Sequence, residues 1–375
     1  MRVLYMTNYP APYRVDFFNE LGEYCDLTVS YEERPESQTH RDSSWFNTNF
    51  EHFTAIYLKP FVRKNGHTLI STQIVSEIKK GYDAIIVGVY STATSMLAIQ
   101  YMIMNKIPYY LETDGGIAKN GKGISEKIKT YLIGHAKGYF SPSRSSDKYL
   151  EFYGADEKVI YRYPFTSLKE SDLLDKPLQQ VEKKKFKDDL SMNYDMVALG
   201  VGQFIHRKGW DVLIRIARRF PQVGFYIVGG VAPSEYEELR QKERAENVFF
   251  VEFKKKDELK KYYYAADFFV LPTREDIWGL VINEALSYAL PVITTRACVA
   301  GIELVQDGEN GYLVNADSAT ELKNVIKKVT QNNLKFETMQ IKALECAKNY
   351  TIENMAQAHM LVLNKEKKQK IERKS

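Results

Sequence analysis

Short unbroken apolar runs alternate with amphipathic stretches along the first half of the chain: Val3 to Thr7 then Tyr13 to Leu21, Leu27 to Tyr31, Ala84 to Val89 then Thr92 to Met104, Pro108 to Leu111, Gly138 to Ser141, and Val159 to Tyr161. Runs of this kind suit strands buried on both faces, and the stretches between them suit crossover helices, so the rhythm predicts βαβ units on a parallel sheet. The polar stretch Glu32 to Asn49, with Pro35, Ser37, Ser43 and Ser44, is expected as a mobile loop. Around Pro164 to Asp189 the alternation lapses into charged sequence, which marks a boundary between domains. It then restarts. Met196 to Val201, Gly224 to Val228, Val248 to Glu252, Phe268 to Leu271, Val292 to Thr294 and Gly311 to Val314 read as strands, with helices at Asp211 to Arg218, Glu235 to Arg244, Asp257 to Ala265 and Ala319 to Thr330. The expected architecture is α/β, with two Rossmann-like, doubly wound parallel-sheet domains. These are residues 1–165, a linker 166–190, residues 191–350, and a terminal segment 351–375 made of a helix and a basic tail.

The most informative stretch runs from Phe268 to Ala285. Its apolar start is a buried strand, Pro272 to Ile277 the loop at its carboxyl end, and Gly279 onward a helix. Open α/β sheets bind ligands at that edge. Gly279 lacks a side chain, so N–H groups of Gly279, Leu280 and Val281 can approach a diphosphate at the positive end of the helix. Asp276 on the loop can accept hydrogen bonds from sugar hydroxyls, and Glu284, about one and a half turns into the helix, can hold a ribose diol. The alternative is a pair of solvated acids favoured by the helix dipole. The loop Gly200 to Gly209 supplies Arg207 and Lys208 beside another helix start, which suits phosphate or a basic surface turn. Gly229, after the next strand, would let a nucleobase approach backbone, or would serve turn geometry only.

These segments resemble the large family-four (group 1) retaining glycosyltransferases. Asp276 and Glu284 stand eight apart where that family has Glu-x7-Glu, followed by Ala285 and a Pro-Val turn at Pro291 and Val292. Gly200 to Gly209 is similar to its Gly-x-x-x-x-Lys-Gly loop, with Lys208 in the lysine position. The first acid is shorter than usual, Ala289 stands where the family often has glycine, and Gln203 occupies the place of an upstream arginine, for which Arg207 or Arg274 would compensate. The resemblance implies the GT-B fold, with the terminal helix crossing back to the first domain. It implies transfer of a sugar from a nucleoside diphosphate sugar, a UDP-sugar above all, to a hydroxyl with retention. It also implies a setting in polysaccharide, capsule, lipopolysaccharide or glycolipid synthesis. Catalytic roles fall to Asp276, Lys208 and Asp114, and donor binding to Arg207, Lys208, Gly279, Leu280, Val281, Glu284 and Gly229. The acceptor side is carried by Arg14, Tyr13 and Glu112. Where the family often has a histidine near the strand ending at Leu111, this chain has Glu112 and Asp114, followed by a Gly/Lys-rich stretch expected as a lid. Two other readings stay open: a nucleotide-sugar epimerase or hydrolase, and a non-catalytic partner subunit that keeps the donor pocket.

Composition narrows this picture. Net charge is only +4, which does not indicate a nucleic-acid partner. The six histidines show no ligand spacing, so no metal or other cofactor is expected beyond the nucleotide-sugar co-substrate. Three scattered cysteines and an amino terminus that begins as a strand suggest a reduced cytoplasmic setting. Basic clusters at Lys183 to Lys187, Lys254 to Lys256, Lys365 to Lys374, and Lys59, Arg63, Lys64, Lys119, Lys122, Lys127 and Lys129 allow two readings. They are solvated faces, or they give peripheral contact with an anionic membrane surface where a glycan or lipid-linked acceptor resides.

Overall fold

The computed structural model describes residues 1–34, 49–59, 62–64, 67–116, 123–331 and 333–372. The polar loop expected between Glu32 and Asn49 and the lid expected after Gly116 therefore lie largely outside the described residues. The chain divides into two compact units, residues 1–167 with 351–375, and residues 168–350.

The first unit is built on a seven-stranded sheet in the order β3-β2-β1-β6-β7-β8-β9. Its strands are β1 (Arg2–Thr7), β2 (Asp26–Tyr31), β3 (Phe53–Tyr57), β6 (Ala84–Val87), β7 (Tyr110–Glu112), β8 (Gly138–Ser141) and β9 (Ile160–Arg162), and every pairing is parallel. A small antiparallel hairpin, β4 (Val62–Lys64) and β5 (His67–Ile70), stands apart. Helices α1 (Pro12–Tyr24), α2 (Gln73–Ile78), α3 (Ala93–Met104), α4 (Ile124–Gly134) and α5 (Arg144–Phe152) connect the strands. Local chemistry sets their starts. Pro12 sits in the first turn of α1, where a missing N–H costs nothing, while Thr92 and Ser143 accept from the Ser95 and Ser146 N–H groups to cap α3 and α5. β1, β6 and β8 are buried almost throughout, as two-sided coverage demands.

The second unit has a six-stranded parallel sheet in the order β12-β11-β10-β13-β14-β15, from β10 (Met196–Val201), β11 (Val223–Val228), β12 (Val248–Val251), β13 (Phe268–Leu271), β14 (Val292–Thr295) and β15 (Gly311–Val314). Its helices are α6 (Gln180–Asp189), α7 (Trp210–Ala217), α8 (Ser234–Lys242), α9 (Lys256–Ala265), α10 (Leu280–Ser287), α11 (Val299–Leu304), α12 (Ala319–Gln331) and α13 (Asn333–Ala347). The last helix, α14 (Ile352–Glu372), belongs to the first unit and packs on α1. In both sheets the strand order reverses once, between β1 and β6 and between β10 and β13, and an open α/β sheet leaves a crevice at the carboxyl ends there.

Two expectations need correction. Residues 168–190 are not a linker but part of the second unit, because α6 packs on α9 through buried lysines. The Lys183 to Lys187 cluster is accordingly split, with Lys183 and Lys187 buried and Lys184 and Lys185 exposed. Lys183 donates to the Ala266 carbonyl at 2.6 Å, Lys187 pairs with Asp267 at 2.8 Å, and Lys183 is only 2% exposed. Burial outweighs its carboxylate neighbour and pulls the Lys183 ammonium down to about 8.

Candidate functional site

The loops leaving β10 and β13 flank the strand-order reversal of the second sheet, and backbone chemistry ties them together. The Arg207 carbonyl accepts from the Arg274 N–H at 2.7 Å and from the Thr273 hydroxyl at 2.9 Å. Gly209 can approach this closely only without a side chain. Its φ is +69°, and a Cβ there would lie 2.0 Å from the Pro272 carbonyl oxygen. Residues 276–278 are held from the other side, where the Asp276 N–H donates to Ala297, and Val299 and Ala300 donate back to Asp276 and Trp278.

On this scaffold Lys208 and Asp276 meet at 2.6 Å, with Arg207 at 3.5 Å from the other Asp276 oxygen. The Arg207 guanidinium also donates to the Glu275 carbonyl and stays 42% exposed, whereas Asp276 is buried. Arg274 is committed elsewhere, to both oxygens of Asp211, to Asp317 and to the His206 carbonyl. Of the two candidates to replace the cation absent at Gln203, Arg207 is thus the one at the pair. Gly279, at φ +99°, caps α10, and its α-carbon faces the buried Cys298, whose sulfur would lie 2.8 Å from an added Cβ. The first-turn N–H groups of Leu280 and Val281 precede any intrahelical acceptor. Glu284 is half-buried and accepts from the Tyr263 hydroxyl at 2.8 Å, and burial pushes its carboxyl up. At Gly229 an added Cβ would lie 1.9 Å from the Gly202 carbonyl oxygen, so its missing side chain lets the neighbouring loop approach.

The residues expected on the acceptor side form a cluster in the first unit. Arg14 donates to Glu112 at 2.6 Å and also to Asp114, to which the Tyr13 hydroxyl donates at 3.4 Å. His359 of α14 sets Nε2 3.0 Å from the second Glu112 oxygen and Nδ1 2.8 Å from the Met355 carbonyl oxygen. Burial by itself raises the Glu112 carboxyl, but Arg14 and His359 overcome it and hold the group down to about 2. Glu112 and Arg14, 1% and 5% exposed, are therefore internal groups and not an acceptor surface, while the Asp114 side chain stays 43% exposed. Sequence reasoning missed His359, since nothing local ties a terminal helix to a strand 247 positions earlier. Among the described residues no group of three or more His, Cys, Asp or Glu side chains is placed to hold a metal ion, and no helix is long and apolar enough to cross a membrane.

Two doubly wound parallel sheets, each reversing strand order once, define the GT-B class of fold. The sequence profile described as glycosyl transferases group 1 matches residues 181–370, about half of the chain, and the protein belongs to that family. It is 26% identical over 188 residues to the alpha-galactosylglucosyldiacylglycerol synthase of Streptococcus pneumoniae, covering 48% of this chain and 49% of that protein. It is 28% identical over 142 residues to the lipopolysaccharide core biosynthesis glycosyltransferase LpsE of Rhizobium meliloti, covering 36% and 40%. The chain thus matches about half or less of these relatives' length. The crystal structure of HepE from Anabaena in complex with UDP superposes with a TM-score of 0.76, at 16% identity, over 97% of this chain and 100% of that one.

Proposed function

We propose that the protein transfers a sugar from a UDP-sugar, with retention, to a hydroxyl of a membrane-associated glycolipid or polysaccharide acceptor. The observation that carries this reading is the Lys208–Asp276 pair at 2.6 Å beside the Gly279-capped start of α10. Lys208, Arg207 and the helix terminus offer positive charge to the departing diphosphate, so the step proceeds without a divalent cation. Asp276 holds the Lys208 ammonium and takes donor-sugar hydroxyls, and Glu284 takes the ribose. The bond from the anomeric carbon to the diphosphate oxygen breaks as the acceptor oxygen bonds to that carbon on the same face. The acceptor's proton passes to the leaving phosphate oxygen. The family membership and the UDP held by HepE support the donor class. The relatives that act in glycolipid and lipopolysaccharide synthesis support the acceptor class.

Membrane contact has support in α4. Ile124, Ile128 and Tyr131, at helical spacing, are 79%, 41% and 40% exposed on one stripe flanked by Lys127. A cleft of about 650 Å³ lined by Tyr131, Phe152 and Tyr153 adjoins it.

The test supplies UDP-glucose, UDP-galactose and UDP-N-acetylglucosamine with dodecyl glucoside as acceptor, with and without EDTA. One donor should be consumed regardless of EDTA. Lys208→Ala should lower turnover by about 100-fold or more, in the range seen on removing one group that stabilises transition-state charge, and Asp276→Asn should do likewise. UDP release that no acceptor alters would point to a hydrolase, and absence of UDP binding would sink the donor assignment. Sedimentation with phosphatidylglycerol vesicles reads the membrane contact, which Ile124→Glu with Ile128→Glu should abolish.

A further inference from the structure

His359 is fully buried, and aromatic rings fix its plane. Phe140 stacks on it at 4.3 Å between centroids, with Tyr163 at 4.8 Å and Phe17 at 5.0 Å. Both ring nitrogens face oxygen acceptors, one on its own helix and one on Glu112. Glu112 therefore has one oxygen turned toward α14 and the other toward Arg14. The Arg14 guanidinium is fixed in turn against Phe165 and bridges to Asp114, whose side chain is 43% exposed. The order of contacts runs from the terminal helix through β7 and α1 to the carboxyl edge of the first sheet. A buried carboxylate between two donors leaves its partners little freedom, because any rotation would strand a charge in a water-poor environment.

We propose that His359 is a positioning residue: through Glu112 and Arg14 it sets the orientation of Asp114, and so the geometry in which the first unit receives its acceptor hydroxyl. The role in acceptor binding rests on the reading of Asp114 as an acceptor-facing carboxylate, whereas the link from His359 to Arg14 does not. Among the functional residues singled out in this chain, it is the one contributed by the terminal helix.

The link is read first without any substrate, in the full chain, from the nitrogen-resolved NMR signals of the Arg14 guanidinium. In the wild type its N–H protons should exchange slowly, as buried paired groups do. His359→Phe keeps the ring among Phe17, Phe140 and Tyr163 but removes both ring nitrogens, and should speed that exchange by about tenfold or more. His359→Gln, which can restore a donor to Glu112, should return it most of the way. His359→Leu serves the same comparison if the Phe variant does not fold. An Arg14 signal that ignores the loss of both His359 ring nitrogens overturns the proposal, whether or not the enzyme turns over. Where the wild type transfers sugar to dodecyl glucoside, His359→Phe should raise the acceptor KM by about tenfold while UDP affinity stays unchanged, and His359→Gln should recover it. Against an Asp114→Asn background the same substitution should have no further effect, since both act through one carboxylate. Additive effects would show a merely structural histidine. Failure of every donor in the wild type would instead count against the transferase reading, leaving the Arg14 result to decide the link.

Discussion

At the scale of single residues, the donor loops are governed by close backbone approach as much as by charge. Gly209 combines a left-handed φ with a carbonyl oxygen where its Cβ would sit. Gly209→Ala should therefore destabilise the second unit by roughly 2–4 kcal/mol and weaken UDP binding together with it, checked by denaturant unfolding and calorimetry. Lys208→Ala should behave differently, lowering turnover with little change in stability, because Asp276 keeps Arg207 and its backbone contacts. Ala289 illustrates a departure the chain tolerates. Its φ of +55° is the conformation that favours glycine, and this explains physically why relatives often have glycine there.

At the scale of elements, α6 shows how composition misleads. A helix rich in lysine reads as solvated, yet Lys183 and Lys187 are buried and reach the Ala266 carbonyl and Asp267. Asp267 also accepts from the Val197 N–H at 2.8 Å, so it remains satisfied if Lys183 is removed. Lys183→Met should then be neutral or stabilising by about 1 kcal/mol at pH 7, while Asp267→Ala, which leaves two buried ammonium groups unpaired, should cost roughly 3–5 kcal/mol. The pH dependence has a definite sign. Lys183 titrates near 8 folded against 10.5 unfolded, so the unfolded chain binds more protons between those values and stability rises with pH across them. The advantage of Lys183→Met should consequently shrink from pH 7 to pH 10, as followed by thermal melts of both proteins.

At the scale of the whole molecule, the two units are unequal in sequence terms. Residues 168–350 form the second without interruption, but the first needs α14 from the far end of the chain. Ending the chain at Tyr350 removes His359, uncovers Phe17 and Phe140 and leaves Glu112 with one partner fewer. Differential scanning calorimetry of that truncation should show the transition of the second unit retained within a few degrees and that of the first lost or strongly lowered. Retention of both transitions would show α14 to be an accessory to the first core.

The sequence by itself determined the sheets and much of the donor loops. β8, β10, β13 and β15 span the residues their apolar runs predict, because a strand covered on both faces must be apolar throughout and announces itself locally. The spacing of Lys208, Gly209, Asp276, Gly279 and Glu284 was legible for the same reason: each lies within one strand-loop-helix segment. The edge strand β3, half-exposed and without an unbroken apolar run, and the charged α6 left no such signature. Tertiary structure alone decided which cations serve which acids. It gave Arg274 to Asp211 and Asp317, left Arg207 at Asp276, closed Gly229 against Gly202 and buried Glu112 between Arg14 and His359. Such partnerships join residues far apart in the chain, and a side chain's charge and size do not specify its partner until packing has removed the water that would otherwise satisfy it.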